Sequence, residues 1–281
     1  MGKFARSWEL VKASAAVLRA DRELLVFPLV SAIATLLVAL SFFLPLYASG
    51  TFRLIHPHEG LPVPIYIMLF LFYVAQYTVI FFFNTALVGA AMIRLDGGDP
   101  TLADGLRIAR ERIVPIIGYA VISATVGMVL RALEERAGFL GKIVIGMIGA
   151  AWTVATAMVV PVLVTQNVGP IDAIKESVNL LRRNWGENLI GNGGIGVVFG
   201  LVTVAVMFVG GALVVMSAGS NLVPLAVLFA AATVIAVLGL SLVQAALAGI
   251  YSAALYRFAS TGEVPNGFDG DALQGAFRLK A

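Results

Sequence analysis

PVLVTQNVGPIDAIKESVNLLRRNWGENLI, residues 161–190, is a charged segment set between two long apolar ones. Ile171, Ile174, Val178, Leu181 and Trp185 recur at helical spacing, and Asp172, Lys175, Glu176, Asn179, Arg182 and Arg183 fall on the other side. That pattern predicts a helix lying on a membrane surface rather than crossing it. Related charged segments recur before and after other apolar runs. The chain is therefore expected to alternate membrane-crossing hairpins with interfacial helices.

Composition sets the class. The 281 residues are 60% hydrophobic and 12% charged, against about a quarter charged in soluble proteins, and mean hydropathy is +0.95. The expectation is a single membrane domain over residues 1–281, because no connection is long enough to fold as a separate soluble or catalytic domain. With no cysteine, disulfides, thiolate metal sites, thiol nucleophiles and S-palmitoylation are excluded together. A net charge of +3 and a pI near 9.3 are explained by basic membrane loops, so no nucleic-acid partner is expected.

Residues 1–23 read as a basic interfacial helix, with Phe4, Trp8, Val11, Ala15 and Leu18 on one side and Lys3, Arg6, Lys12, Arg19 and Arg22 among them. The first hairpin, residues 24–93, has crossings at 24–49 and 63–93. The first is too long for a signal-peptide core, and Arg6 breaks the myristoylation pattern. The second would extend about 46 Å as a helix, against a hydrocarbon core of about 30 Å, so it must tilt, bend or protrude. After the turn RLDGGDP comes an interfacial helix at 101–112, with Leu102, Leu106, Ala109 and Ile113 on one face. The second hairpin, 113–166, has crossings at 113–130 and 143–166 joined by the charged loop RALEERAGFLGK. The opening stretch supplies the interfacial helix 170–186. The third hairpin, 189–256, crosses at 189–217 and 222–256 through the uncharged AGSN, and a tail, 257–281, ends in Leu273, Ala276, Phe277 and Lys280. The fold class is all-α, a polytopic membrane protein with six transmembrane helices in three hairpins and cytoplasmic amphipathic interfacial helices.

Loop charge orients such a chain. The N-terminus, residues 94–112, residues 167–188 and the tail carry 5, 4, 3 and 3 of the 19 basic residues, fifteen together, while the alternating loops carry 1, 3 and 0. Both termini are expected in the cytoplasm of a cell whose plasma membrane holds the protein. An internal repeat fits this plan: Lys12, Ser14, Val17, Leu18, Arg19 and Asp21 share their spacing with Lys175, Ser177, Leu180, Leu181, Arg182 and Asn184, and Glu111 opens a shorter third copy before Ile113.

Pro161, Gly169, Ala173, Ser177, Leu180 and Trp185, with the N-terminal SWELVKASAAVLRADRELLVFPLVSA, carry a resemblance. The chain resembles uncharacterised prokaryotic six-span membrane families, and in layout is similar to the membrane domain attached to some glycerophosphoryl diester phosphodiesterases. The resemblance implies membrane residence alone, since the phosphodiesterase chemistry belongs to a soluble domain. The N-terminal segment is also similar, over a shorter stretch, to sulfate-permease-like proteins with an early proline in the first helix.

No Asp, Glu, Lys, Arg or His falls within the six predicted hydrophobic cores. That argues against a proton relay through a buried carboxylate and against intramembrane proteolysis. No enzyme activity, cofactor, metal or catalytic residue is expected. The candidate sites are two. Lys12, Arg19, Arg110, Lys175, Arg182 and Arg183 are candidates for binding anionic membrane lipids or a protein partner at the cytoplasmic face. Gln76, Asn84 and Gln244 are intramembrane amides that either join helices by hydrogen bonds or line a neutral polar path. GNGGIG, residues 191–196, matches the dinucleotide fingerprint by letter but lacks the preceding strand. Gly196 with Gly200, and Gly146, Gly149 and Ala150, give small-residue faces for close helix contact within one chain or in a homo-oligomer. His56, His58 and Glu59 read as an exposed turn. The function expected is a membrane-organising, lipid- or partner-binding protein. The alternative is a permease or lipid transporter with a neutral pathway.

Overall fold

The computed structural model describes residues 3–50, 62–185, 194–268 and 273. All regular structure among them is helical: α1 (Lys3–Ala20), α2 (Val26–Ala48), α3 (Val63–Leu95), α4 (Leu102–Glu111), α5 (Ile113–Arg136), α6 (Phe139–Ala155), α7 (Val159–Thr165), α8 (Pro170–Trp185), α9 (Gly194–Gly219) and α10 (Val223–Thr261), with a short 3-10 turn at Arg22–Leu25 between α1 and α2. Six segments are long and apolar enough to cross a membrane: Arg22–Ala48, Val63–Leu95, Ile113–Arg136, Phe139–Thr165, Val198–Gly219 and Val223–Thr261. The protein is an all-α, multi-pass membrane protein.

Its core lies at one end. The main buried positions are Thr85–Ala91 in α3, Ile116, Tyr119, Ala120, Ser123 and Ala124 in α5, Val159–Leu163 in α7, and Ala246, Leu247, Gly249, Ile250 and Ala253–Tyr256 in α10, and each set lies in the half of its span that faces α1, α4 or α8 or runs into the tail. The other halves are dominated by exposed apolar side chains such as Leu36, Leu44, Phe139, Phe208 and Ile235. Lipid solvates such surfaces as readily as a core would, so a membrane bundle has no hydrophobic reason to close along its whole length. The dense packing falls where charged helices must be held against apolar ones.

Three boundaries depart from expectation. The loop predicted at 131–142 is mostly helix, since α5 continues to Arg136 and α6 starts at Phe139. Arg131 pairs with Glu135 one turn on (3.3 Å), an i,i+4 arrangement that lets charge continue a helix beyond the membrane. The crossing predicted as one helix over 143–166 breaks at residues 156–158. Pro161 explains the break, because its ring and missing N–H oppose helical bonding to the residue four before it, while the first turn of a new helix tolerates it. Finally, α10 runs to Thr261, five residues past the predicted end. Arg257 in this extension pairs with Asp96, just beyond α3, and with Glu263 (3.6 Å). Gly262 then stops the helix in the left-handed conformation, φ 74°.

Candidate functional site

The charged helices α1, α4 and α8 are built to one scheme. In α1, α4 and α8 an acidic residue pairs with a basic one three positions on: Glu9 with Lys12 (3.0 Å), Asp104 with Arg107 (3.3 Å) and Asp172 with Lys175 (3.0 Å). Two residues after each base comes a small residue with no exposed surface, Ser14, Ala109 and Ser177 respectively. In α1 and α8 the match continues, with Val17 and Leu18, then Leu180 and Leu181, buried, and Arg19 and Arg182 exposed. A small residue at the contact lets a charged helix approach the core closely, while its acid–base pair stays on the opposite side.

Each of the three helices is fixed by a specific local device. Thr101 and Asp104 form a reciprocal capping box on α4, with Thr101 Oγ1 accepting from the Asp104 N–H (3.2 Å) and Asp104 Oδ2 accepting from the Thr101 N–H (3.1 Å). Those Thr101 bonds hold the Asp104 carboxyl below its ordinary range. At Gly105 a methyl group would lie 2.5 Å from Phe27 Cζ and 2.7 Å from the Ala86 carbonyl oxygen, so α4 touches α3 where only glycine fits. In α8, Ser177 Oγ donates to the Ala155 carbonyl (2.7 Å) and accepts from the Met158 N–H (3.1 Å). One hydroxyl thus satisfies two of the backbone groups freed by the α6–α7 break. At the end of α1, Asp21 is buried and its Oδ2 has no hydrogen-bond partner among the described residues. Burial pushes its carboxyl above the usual range. A raised acid costs stability once ionised and nothing below its unfolded value near 3.9. Asp21→Asn is therefore expected to melt at a higher temperature than wild type near pH 7, with the difference shrinking as pH falls and gone below about pH 4.

The six basic candidates separate into two kinds. Lys12 and Lys175 are exposed but already paired with Glu9 and Asp172. Arg19, Arg110, Arg182 and Arg183 are exposed and have no ion pair among the described residues. Because α1, α4 and α8 all pack on the same core, these four guanidinium groups belong to one end of the molecule.

The three amides are not brought together. Gln76 Nε2 donates to the Thr35 carbonyl of α2 (3.1 Å), an interhelical tie. Asn84 lines a groove of about 280 Å³ between α2, α3 and α10 that neither Gln76 nor Gln244 lines, and Gln244 is half-buried elsewhere on α10. The small-residue faces also differ from expectation within the chain. A methyl group at Gly146, Gly196 or Gly200 would meet nothing within 4 Å, and at Gly149 only Leu130 Cδ1 at 3.8 Å. The close approaches between helices fall instead at Gly89, Gly105, Gly118, Gly210 and Gly249. His56, His58 and Glu59, residues 191–193 of the glycine-rich motif, and Ala276, Phe277 and Lys280 of the tail lie outside the described residues, while Leu273 is fully buried.

Fold and surface together define a six-span membrane protein with charged helices gathered at one end. Residues 63–267 match the family model described as a family of unknown function, DUF6159, and the chain belongs to that family. No curated protein and no solved structure matches it. The match makes no link to phosphodiesterase membrane domains or to sulfate-permease-like proteins, so those similarities rest on the quoted residues alone.

Proposed function

We propose that this protein is a lipid-binding organiser of the cytoplasmic membrane, with α1, α4 and α8 lying along the cytoplasmic surface and both termini on that side. The observation that carries the reading is the set of four exposed arginines, Arg19, Arg110, Arg182 and Arg183, without an ion pair among the described residues, on helices whose opposite faces are buried. An anionic headgroup at the interface is the charge complement for such groups. The distribution of basic residues, fifteen against four, supports the orientation. The shared scheme of α1 and α8 supports an internal repeat, in which one interfacial unit was used again after the second hairpin. This reading assigns the protein no catalytic residue, cofactor or metal. Anionic lipid is the partner it names, ahead of a cytoplasmic protein or a second copy of the chain.

Each arginine near an anionic surface contributes about 1 kcal/mol. Changing Arg19, Arg110, Arg182 and Arg183 to Gln together is expected to weaken retention of phosphatidylglycerol on the order of a thousandfold at low salt, with the gap narrowing as salt rises. Lipid co-purification and native mass spectrometry of the detergent-solubilised protein read this directly. Unchanged retention, with membrane insertion intact, would remove the proposal. The permease reading gains support only from Asn84, since Gln76 is engaged in an interhelical bond.

A further inference from the structure

The groove between α2, α3 and α10 is mostly apolar, but Ser31, Asn84 and Ser252, one from each helix, face it. None of the three side chains makes a hydrogen bond among the described residues. Thr35, Ser41, Thr78, Thr125 and Ser241 on the spans each donate to a carbonyl one turn back, the ordinary way a helix in lipid satisfies a hydroxyl; Ser31 and Ser252 do not, and unlike Thr85 and Ser123, whose unpartnered hydroxyls are buried, they face an open groove. Asn84 adds two donors and two acceptors, and an unsatisfied amide is costly in an apolar setting. The groove is open along one side, where exposed Ile80, Ala245 and Ala248 form its lip.

Its depth is marked by α4. Gly105 of that helix sits on Ala86, and Ile108 on Gly89, so the charged interfacial helix crosses α3 within two turns of Asn84. The groove therefore lies near the level of the membrane interface and well away from the bilayer centre. Small residues create it: a methyl group at Gly249 would come within 2.5 Å of Leu87 Cδ2, so glycine there is what brings α10 close to α3 and sets Ser252 near Asn84.

We propose that this groove holds the glycerol-ester region of one diacyl glycerolipid from the surrounding bilayer, through hydrogen bonds from Ser31, Asn84 and Ser252. Ester carbonyls are acceptors found at this depth, and the amide and hydroxyls supply donors for them. No charged residue lines the groove, so recognition is of the esters and is indifferent to the headgroup. The acyl chains follow the exposed apolar flank beside Ile80 and Ala245. This site lies apart from the arginine surface and does not depend on it.

The test uses the full chain purified in detergent and titrated, in native mass spectrometry, with dioleoyl phosphatidylcholine or with its ether-linked analogue, which has the same neutral headgroup but no ester carbonyls. Wild type is expected to hold one diacyl molecule at least fivefold more tightly than the diether. The double variant Asn84→Leu with Ser252→Ala is expected to lose that preference. Ala248→Phe, at an exposed lip position where folding is not at stake, is expected to abolish the single-lipid adduct by filling the groove. Equal binding of diacyl and diether lipid would overturn the proposal, as would an adduct that survives Ala248→Phe. A groove occupied only by water gives no adduct in wild type and overturns it too. Because the probe is zwitterionic, failure here and failure of the arginine-surface reading are separate results.

Discussion

Ser177→Ala is expected to destabilise the protein by about 2 to 5 kcal/mol, whereas Ser14→Ala, at the matching position of α1, is expected to be neutral or stabilising by up to about 1 kcal/mol. Both hydroxyls are fully buried. Ser177 Oγ serves the Ala155 carbonyl and the Met158 N–H across the α6–α7 break, and removing it leaves two buried backbone groups unpaired, each costing about 1 to 3 kcal/mol. Ser14 Oγ has no partner among the described residues, so deleting it removes a desolvated polar atom at no loss of bonding. Thermal melting of both variants in detergent gives the comparison. Equal losses for the two serines would mean that Ser177 is acting only by its size.

Gly105→Leu is expected to unseat α4 altogether, with a loss of more than about 3 kcal/mol or a failure to accumulate folded protein. Even a single methyl group there meets the Ala86 carbonyl at 2.7 Å, and a backbone atom cannot move aside as a side-chain tip can. The gain in helix propensity on replacing glycine, about 1 kcal/mol, does not offset that overlap. Gly200→Leu is the matched control: nothing lies within 4 Å of its added atom, and its stability is expected to stay close to wild type. A protease-protection assay on α4 distinguishes detachment of that helix from global unfolding, since detachment exposes residues 101–112 while the spans remain protected.

Much of the architecture was legible because period and length are strong signals in an apolar chain. Helix α8 could be placed from Ile174, Leu181 and their charged neighbours, and the six spans from uninterrupted apolar runs. What was not legible came from contacts between distant elements. Nothing local in KESVNLL announces that Ser177 will close a helix break some twenty residues earlier, although Pro161 in the quoted stretch was the available sign of that break. The glycines followed the same rule. The G-x-x-x-G spacing drew attention to Gly196 and Gly200, yet tight approaches fall at Gly105, Gly210 and Gly249, and of these Gly105 and Gly249 stand alone in sequence and become special only through Ala86 and Leu87. The acid–base pair followed by a buried small residue was present three times, and reading α4 from Asp104 rather than from Glu111 would have exposed it. Of the polar candidates, spacing alone could not tell that Gln76 is used in joining helices while Asn84 faces a groove.

The orientation of the interfacial layer underlies the whole account, and the absence of cysteine from the chain makes it directly measurable. Single cysteines placed at the exposed positions Ala16, Glu111 and Asn179, and separately at Gly138 and Ser220, are treated in intact cells with a membrane-impermeant maleimide. The account predicts labelling at Gly138 and Ser220, and none at Ala16, Glu111 or Asn179 until the membrane is opened. Labelling of the three interfacial positions in intact cells would contradict it.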